Sequence, residues 1–165
     1  MATAPDALQT AIRIAVQHAD FDLGAELAAL DDPARACGAV ASFVGRVRRD
    51  TGGDVPLSAL TLEHYPGMTE KVLRELAAGA GERFSLQAVT VVHRIGLLRP
   101  GEQIVLVLAA APHRKAALAA VDFLMDHLKS VAPFWKCEQY GAQRHWVQAR
   151  ADDEAALARW QTSTP

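Results

Sequence analysis

The chain has 165 residues, half of them hydrophobic and 22% charged, with two cysteines and a formal net charge of -2. That length suits one domain spanning residues 1–165, large enough to bury a core without disulfides or a structural metal. No apolar run approaches the ~20 residues that span a bilayer, and the opening MATAPDALQT lacks a basic stretch followed by an apolar one. Cys37 and Cys137 lie too far apart in sequence to suggest a disulfide framework, so a cytoplasmic, reducing setting is expected.

The net charge averages an uneven distribution. Residues 1–32 carry one Arg against six acids, and residues 151–165 one Arg against three. The intervening stretch holds fifteen Lys and Arg against ten acids, a local +5. Acidic ends around a basic middle argue against a general nucleic-acid binder, whose whole domain is usually basic. They permit a local anion site.

In chain order, Ile12, Ile14 and Val16 alternate with polar or small residues and predict a half-buried strand. Asp20 or Asp22 is placed to cap a short helix over Leu23–Leu30. Cys37–Val44 reads as a strand ending at Gly45, and RVRRDTGGDVP as a loop. Leu57–His64 predicts another strand, broken by Tyr65-Pro66-Gly67. Thr69 is expected to cap a helix whose apolar stripe is Val72, Leu73, Leu76 and Ala77. Gln87–Arg94 and Gln103–Ala111 are rich in β-branched residues, joined by the loop IGLLRPGE with Pro100-Gly101 as its turn. Pro112 opens a long helix to about Lys129, with Leu118, Val121, Met125 and Leu128 on one face. Phe134–Tyr140 and His145–Gln148 suggest a hairpin about Gly141, and a last helix runs from Asp152 to about Trp160. This order of strands and helices indicates an α+β domain.

The absences narrow the chemistry. No phosphate-loop or dinucleotide fingerprint, metal-binding His or Cys pairing, or GxSxG elbow occurs. What remains is cationic. Arg46, Arg48 and Arg49 follow a strand, either as a solvated loop or as a guanidinium clamp for phosphate. His113, Arg114 and Lys115 sit at the start of the long helix, where the macrodipole disfavours cations. They either splay into water or seat an anion on the helix N-terminus.

Lys129 complements the dipole at the end of that helix. Lys136 alternates with Phe134 and Glu138 on one strand face. It either snorkels to solvent or is desolvated enough to serve in acid–base or nucleophilic chemistry, with Glu138 as a possible orienting partner. Cys37 and Cys137 read more simply as packing than as reactive thiols. Trp135, Trp146 and Trp160 suit a core or an interface. Together these residues describe a metal-free anion pocket with one or two candidate lysines.

The strings FVGRVR, LEHYPGMTEK, VVHRIGLLRPGE, FLMDHLKSVAPFWKCE and WVQARADDE, in this order, resemble the catalytic (large) subunit family of molybdopterin synthase. The resemblance runs from about Cys37 to Trp160 and is loose over the first 36 residues. It implies an α+β fold with an α/β-hammerhead core and a smaller antiparallel β subdomain. The implied activity is insertion of two dithiolene sulfurs into cyclic pyranopterin monophosphate. The sulfur comes from the C-terminal thiocarboxylate of a small ubiquitin-like partner subunit, so no cofactor is implied. The implied assembly is a heterotetramer around a homodimer of large subunits, with no nucleic acid and no membrane.

Carried over position by position, the resemblance makes Lys129 and Lys136 catalytic. It assigns substrate binding to Arg46, Val47, Arg48, His113, Arg114, Cys137, Glu138 and Arg150. Arg46 stands where many members have Lys, which keeps the charge but changes its reach. No sulfur-relay role is implied for Cys137. Two other readings are weighed against this one: a non-catalytic docking module for a ubiquitin-like tail or a phosphorylated pterin, and an RNA-binding domain.

Overall fold

The computed structural model describes residues 9–32, 35, 37–49, 54–147 and 151–161, with backbone only for 151–153. In chain order the elements are β1 (Ala11–Gln17), α1 (Leu23–Ala28), β2 (Ala39–Arg46), β3 (Ala59–His64), α2 (Met68–Phe84), β4 (Ala88–Arg94), β5 (Gly96–Leu98), β6 (Gln103–Ala111), α3 (Arg114–Val131), β7 (Phe134–Tyr140), β8 (Gln143–Val147) and α4 (Ala151–Gln161). They form an α+β fold with two four-stranded sheets. The first, ordered β1-β4-β6-β2, is mixed, because β1 runs parallel to β4 while the other pairs are antiparallel. The second, ordered β5-β3-β7-β8, is antiparallel throughout.

Ala88–Val92 at the centre of the run QAVTVVHR carry no charge on either strand face, because both faces are covered. Every residue of β4 is buried. Val89 and Val91 meet Leu73, Ala77, Ala120 and Leu124 of α2 and α3. On the other face Val92 joins Phe21, Leu106 and Leu108 beneath the α1 segment. A separate cluster of Val47, Leu57, Leu60, Leu62 and Leu98 packs the second sheet.

Several boundaries differ from the sequence expectation, each for a local reason. The segment expected as a plain loop after β4 contains β5, because Leu98 pairs with Leu60 and is buried in the second core. Gly96 permits this crossing with φ +83, and a Cβ there would lie 2.7 Å from His18 Nδ1. Strand β2 does not stop before Gly45 but continues through it to Arg46, with a register shift between the two.

Thr69 is not the cap of α2. Gly67 is, at φ 81, and its N–H donates to Glu70 Oε2 at 2.7 Å. The buried Thr69 hydroxyl instead accepts from Tyr65 N–H and donates to Tyr65 C=O. The long helix starts at Arg114 with His113 as its cap. Pro112 is held as an extension of β6, since Gly38 N–H donates to Ala111 C=O and Gly38 backs onto the Pro112 carbonyl. The cap of α1 is Asp22, whose carboxylate accepts from Ala25 N–H at 2.7 Å.

Leu124 is fully buried between the first sheet and α2. Leu124→Ala should cost about 2–5 kcal/mol by leaving a cavity, read as a drop in urea midpoint at unchanged slope.

Candidate active site

The end of β2 is pinned from both sides of one residue. Val47 is 3% exposed and packs in the second core. Its N–H donates to Glu102 C=O at 2.9 Å, and its C=O accepts from Gly101 N–H at 2.8 Å. Its side chain and both backbone groups are therefore committed inside the protein, whereas its neighbours Arg46 and Arg48 are exposed. Gly101 is required at the Pro100-Gly101 turn, with φ +94, and a Cβ there would lie 2.5 Å from an Arg49 guanidinium nitrogen.

Helix α3 follows β6 and runs back along the first sheet. A groove of about 320 Å³ lies between β2 and α3, lined by Ala41, Ser42, Phe43, Leu118, Val121, Asp122, Met125, Asp126 and Lys129. Leu118, expected on the packed face, is instead exposed and lines this groove. Lys129 occupies the last turn of α3, where the dipole favours a cation. Asp126, one turn earlier, is committed to α4. It accepts from Trp160 Nε1 at 2.7 Å and from Arg159 Nε at 3.0 Å. Desolvation pushes its carboxyl up, but these donors outweigh that and hold it below the ordinary carboxylate range. Trp160 itself packs edge-on against Phe84 and Phe123.

Beyond α3 and a two-residue link, β7 carries the second lysine at its third position. Phe134, Lys136 and Glu138 share one face, as the alternation predicts, opposite His64, Leu62 and Leu60 of β3. Cys137 turns to the other face, beside Thr61 and Trp146, and is 2% exposed, so its thiol points away from Lys136. Glu138 accepts from the Tyr140 hydroxyl at 2.8 Å. Both Trp135 and Trp146 are about half exposed rather than core.

Beneath Lys136 lies a group that sequence reasoning missed. The His93 ring stacks on Phe134 with centroids 3.8 Å apart and planes 14° from parallel, and His64 flanks the same ring at 6.4 Å. His93 is 3% exposed and its Nδ1–H donates to Arg94 C=O at 2.8 Å. Burial lowers its pKa to about 4, and the charges of Lys136 and His64 push the same way. His93 is therefore neutral at pH 7. The available signal was a histidine continuing the β-branched run VTVV of a strand buried on both faces.

Topology collects part of the expected set. Arg46 pairs with Gln103 at the start of β6, and His93 pairs with Val105 nearby. Since α3 runs antiparallel to β6, Lys129 returns to that same end of the sheet, and the Phe134 stack on His93 brings β7 there too. The other pair is elsewhere. His113 and Arg114 are exposed at the opposite end of α3, and fifteen helical steps of 1.5 Å put Arg114 about 22 Å from Lys129 along the axis. Arg150 lies outside the described residues.

The His93 shift predicts a pH signature. The unfolded chain protonates this group near 6.5 and the folded chain only near 4, so stability falls as pH drops through that window. The loss is about 3 kcal/mol in total. His93→Phe keeps a stacked ring without a titrating group. It should flatten the fall in urea midpoint between those two pH values, and an unchanged fall would contradict the assignment.

Comparison with known proteins bears on this arrangement. The family described as MoaE protein matches residues 16–131. The chain is 55% identical over 147 residues to the molybdopterin synthase catalytic subunit of Ralstonia nicotianae, covering 89% of this chain and 83% of that one. It is 51% identical over 153 residues to the molybdopterin synthase catalytic subunit of Mesorhizobium japonicum, covering 92% and 94%. Among solved structures, molybdopterin cofactor biosynthesis protein E of Burkholderia multivorans superposes with a TM-score of 0.77 at 50% identity, covering 93% of this chain and 99% of that one. The chain therefore belongs to the MoaE family, that of the molybdopterin synthase catalytic subunits.

Proposed function

We propose that this chain is the catalytic subunit of a molybdopterin synthase, converting cyclic pyranopterin monophosphate to molybdopterin. In this reading the two dithiolene sulfurs come from the C-terminal thiocarboxylate of a small ubiquitin-like partner. Each thiocarboxylate holds one sulfur and leaves as a carboxylate, so two tails are consumed per product. The reaction belongs in the cytoplasm, in keeping with two cysteines that form no disulfide. Among the described residues no helix is long and apolar enough to cross a membrane.

The reading is supported by topology: Arg46 ends β2 opposite Gln103, Lys129 ends α3 and lines the groove against β2, and β7, which carries Lys136, is tied to β4 by the Phe134–His93 stack. Both reactants are anions, a phosphate ester and a thiocarboxylate, so a cationic site is needed from two directions. Lys129 is the main catalytic group in this account, contacting the tail's terminal carbonyl and moving protons. Lys136 stabilises developing charge and assists proton transfer. Arg46 and Arg48 bind the phosphate, with Val47 fixing their position. Glu138, bonded to Tyr140, shapes the pterin side of the pocket. Cys137, buried on the opposite face, serves only through the backbone of β7.

His113 and Arg114 join this site only from a second copy, because about 22 Å separates Arg114 from the Lys129 of its own chain. A two-fold homodimer supplies that copy symmetrically. Arg150 is assigned to phosphate and pterin binding by family resemblance. One partner subunit bound at each Lys129 groove completes a heterotetramer.

The shared site makes a specific prediction, tested with thiocarboxylated partner, cyclic pyranopterin monophosphate and an assay for dithiolene product. Lys129→Ala and Arg114→Ala should each lose roughly 100-fold or more in turnover while staying folded. Mixed dimers of the two variants rebuild one intact site of two and should recover about half the parental rate. No recovery would mean that each site is built from one chain. Parental turnover by Lys129→Ala would remove its catalytic role.

A further inference from the structure

Arg94 closes β4 with a charge that the strand buries. It is 7% exposed, and its partners all lie on segments that meet at the end of the first sheet. Its Nε donates to His18 C=O at 3.2 Å and its Nη1 to Gln103 C=O at 3.0 Å. Both terminal nitrogens stand 3.4 Å from Glu102 Oε1, and Asp20 Oδ1 is 3.6 Å from Nη1. The second oxygen of Glu102 accepts from Arg99 N–H at 2.6 Å, closing the Pro100-Gly101 turn on itself. The same Glu102 offers its backbone carbonyl to Val47 N–H, while Gly101 N–H reaches the Val47 carbonyl. An unbroken chain of contacts therefore runs from Arg94 through Glu102 to the residue between Arg46 and Arg48.

We propose that the Arg94–Glu102 pair, with Asp20, is a positioning device for the phosphate-binding arginines, fixing Arg46 and Arg48 through the backbone of Val47. This rests on the proposed function for the identity of the phosphate ligand. A buried arginine could serve stability alone, as a clasp between β4, β6 and the segment before α1. Two observations point further. Both backbone groups of Val47, the residue just past β2 and its register shift, bond to the Gly101-Glu102 turn. Asp20 accepts from Gln103 Nε2 at 2.9 Å and lies in the field of Arg46 as well as that of Arg94. Glu102 thus reaches the clamp through its own backbone carbonyl on the turn side, and Asp20 acts on it through its charge from the α1 side; neither residue lines the groove.

The test compares Glu102→Gln with the parental protein, using saturating thiocarboxylated partner and varied cyclic pyranopterin monophosphate. Gln keeps an acceptor for Arg99 N–H but loses the charge that holds the guanidinium. Glu75→Gln, which removes the same charge from the exposed Lys71–Glu75 pair, is the control. The expected result is a KM for the pterin raised about 5- to 20-fold, with kcat within about twofold and melting temperature within a few degrees. A long-range charge effect has the opposite sign, because removing an anion near a phosphate site lowers KM.

An unchanged or lowered KM in Glu102→Gln would overturn the proposal. So would parallel losses in kcat and melting temperature, which a purely structural clasp would give. Arg94→Lys keeps the charge but not the fork, and should reproduce the rise in KM; a parental KM there would also overturn the proposal. If the parental protein itself forms no dithiolene product, it is the proposed function that fails, and Glu102 is not at issue.

Discussion

Strand β6 is the constraint on which the arrangement depends. It pairs with β4 on one side and β2 on the other, and its nine residues set the length over which α3 returns. Because α3 doubles back along β6, its C-terminal lysine arrives where β2 ends and where β7 begins. The same geometry carries the N-terminal His113 and Arg114 to the far end. A straight helix cannot bring its two ends together, so the division of the cations into two groups follows directly from the length of α3.

Neighbouring carboxylates quench a cationic edge unless they are engaged elsewhere. Here they are. Asp126, one helical turn from Lys129, is held by α4 through Arg159 and Trp160. Glu138 takes the Tyr140 hydroxyl, and Glu102 takes Arg94 and the Arg99 amide. Each of these carboxylates bonds within the fold. Beneath Lys136 the supporting ring is histidine, but burial keeps it neutral, so the stack adds no further positive charge at physiological pH.

Much of this was legible in the residues. The period-two pattern of β1, the β-branched runs of β4 and β6, and the amphipathic stripe of α3 all reflect local periodicity that burial enforces. The placement of Lys136 with Phe134 and Glu138, and of Cys137 on the opposite face, follows from strand alternation alone. What periodicity could not supply was tertiary. Three-residue β5 exists only because Leu98 finds a second core, and Thr69 looks like a cap until Gly67 adopts a positive φ and takes that position. The His93 stack joins residues from β4 and β7, and the Arg94 clasp joins β4, the start of β6 with its turn, and the segment before α1, so the partners of neither can be read locally. The 22 Å separation along α3 was calculable from the sequence but became decisive only once both helix ends were defined.

The proposed site lies at the C-terminal end of α3 and takes His113 and Arg114 from a second copy of the chain. The most direct test is a co-structure of the dimer with cyclic pyranopterin monophosphate and the partner's intact C-terminal tail. The account predicts the tail's terminal carbonyl within hydrogen-bond distance of Lys129 Nζ. It also predicts the phosphate held by Arg46 and Arg48 of one protomer and by Arg114 of the other. A tail ending away from Lys129, or a phosphate bound at His113 and Arg114 with no contact to the second protomer, would contradict it.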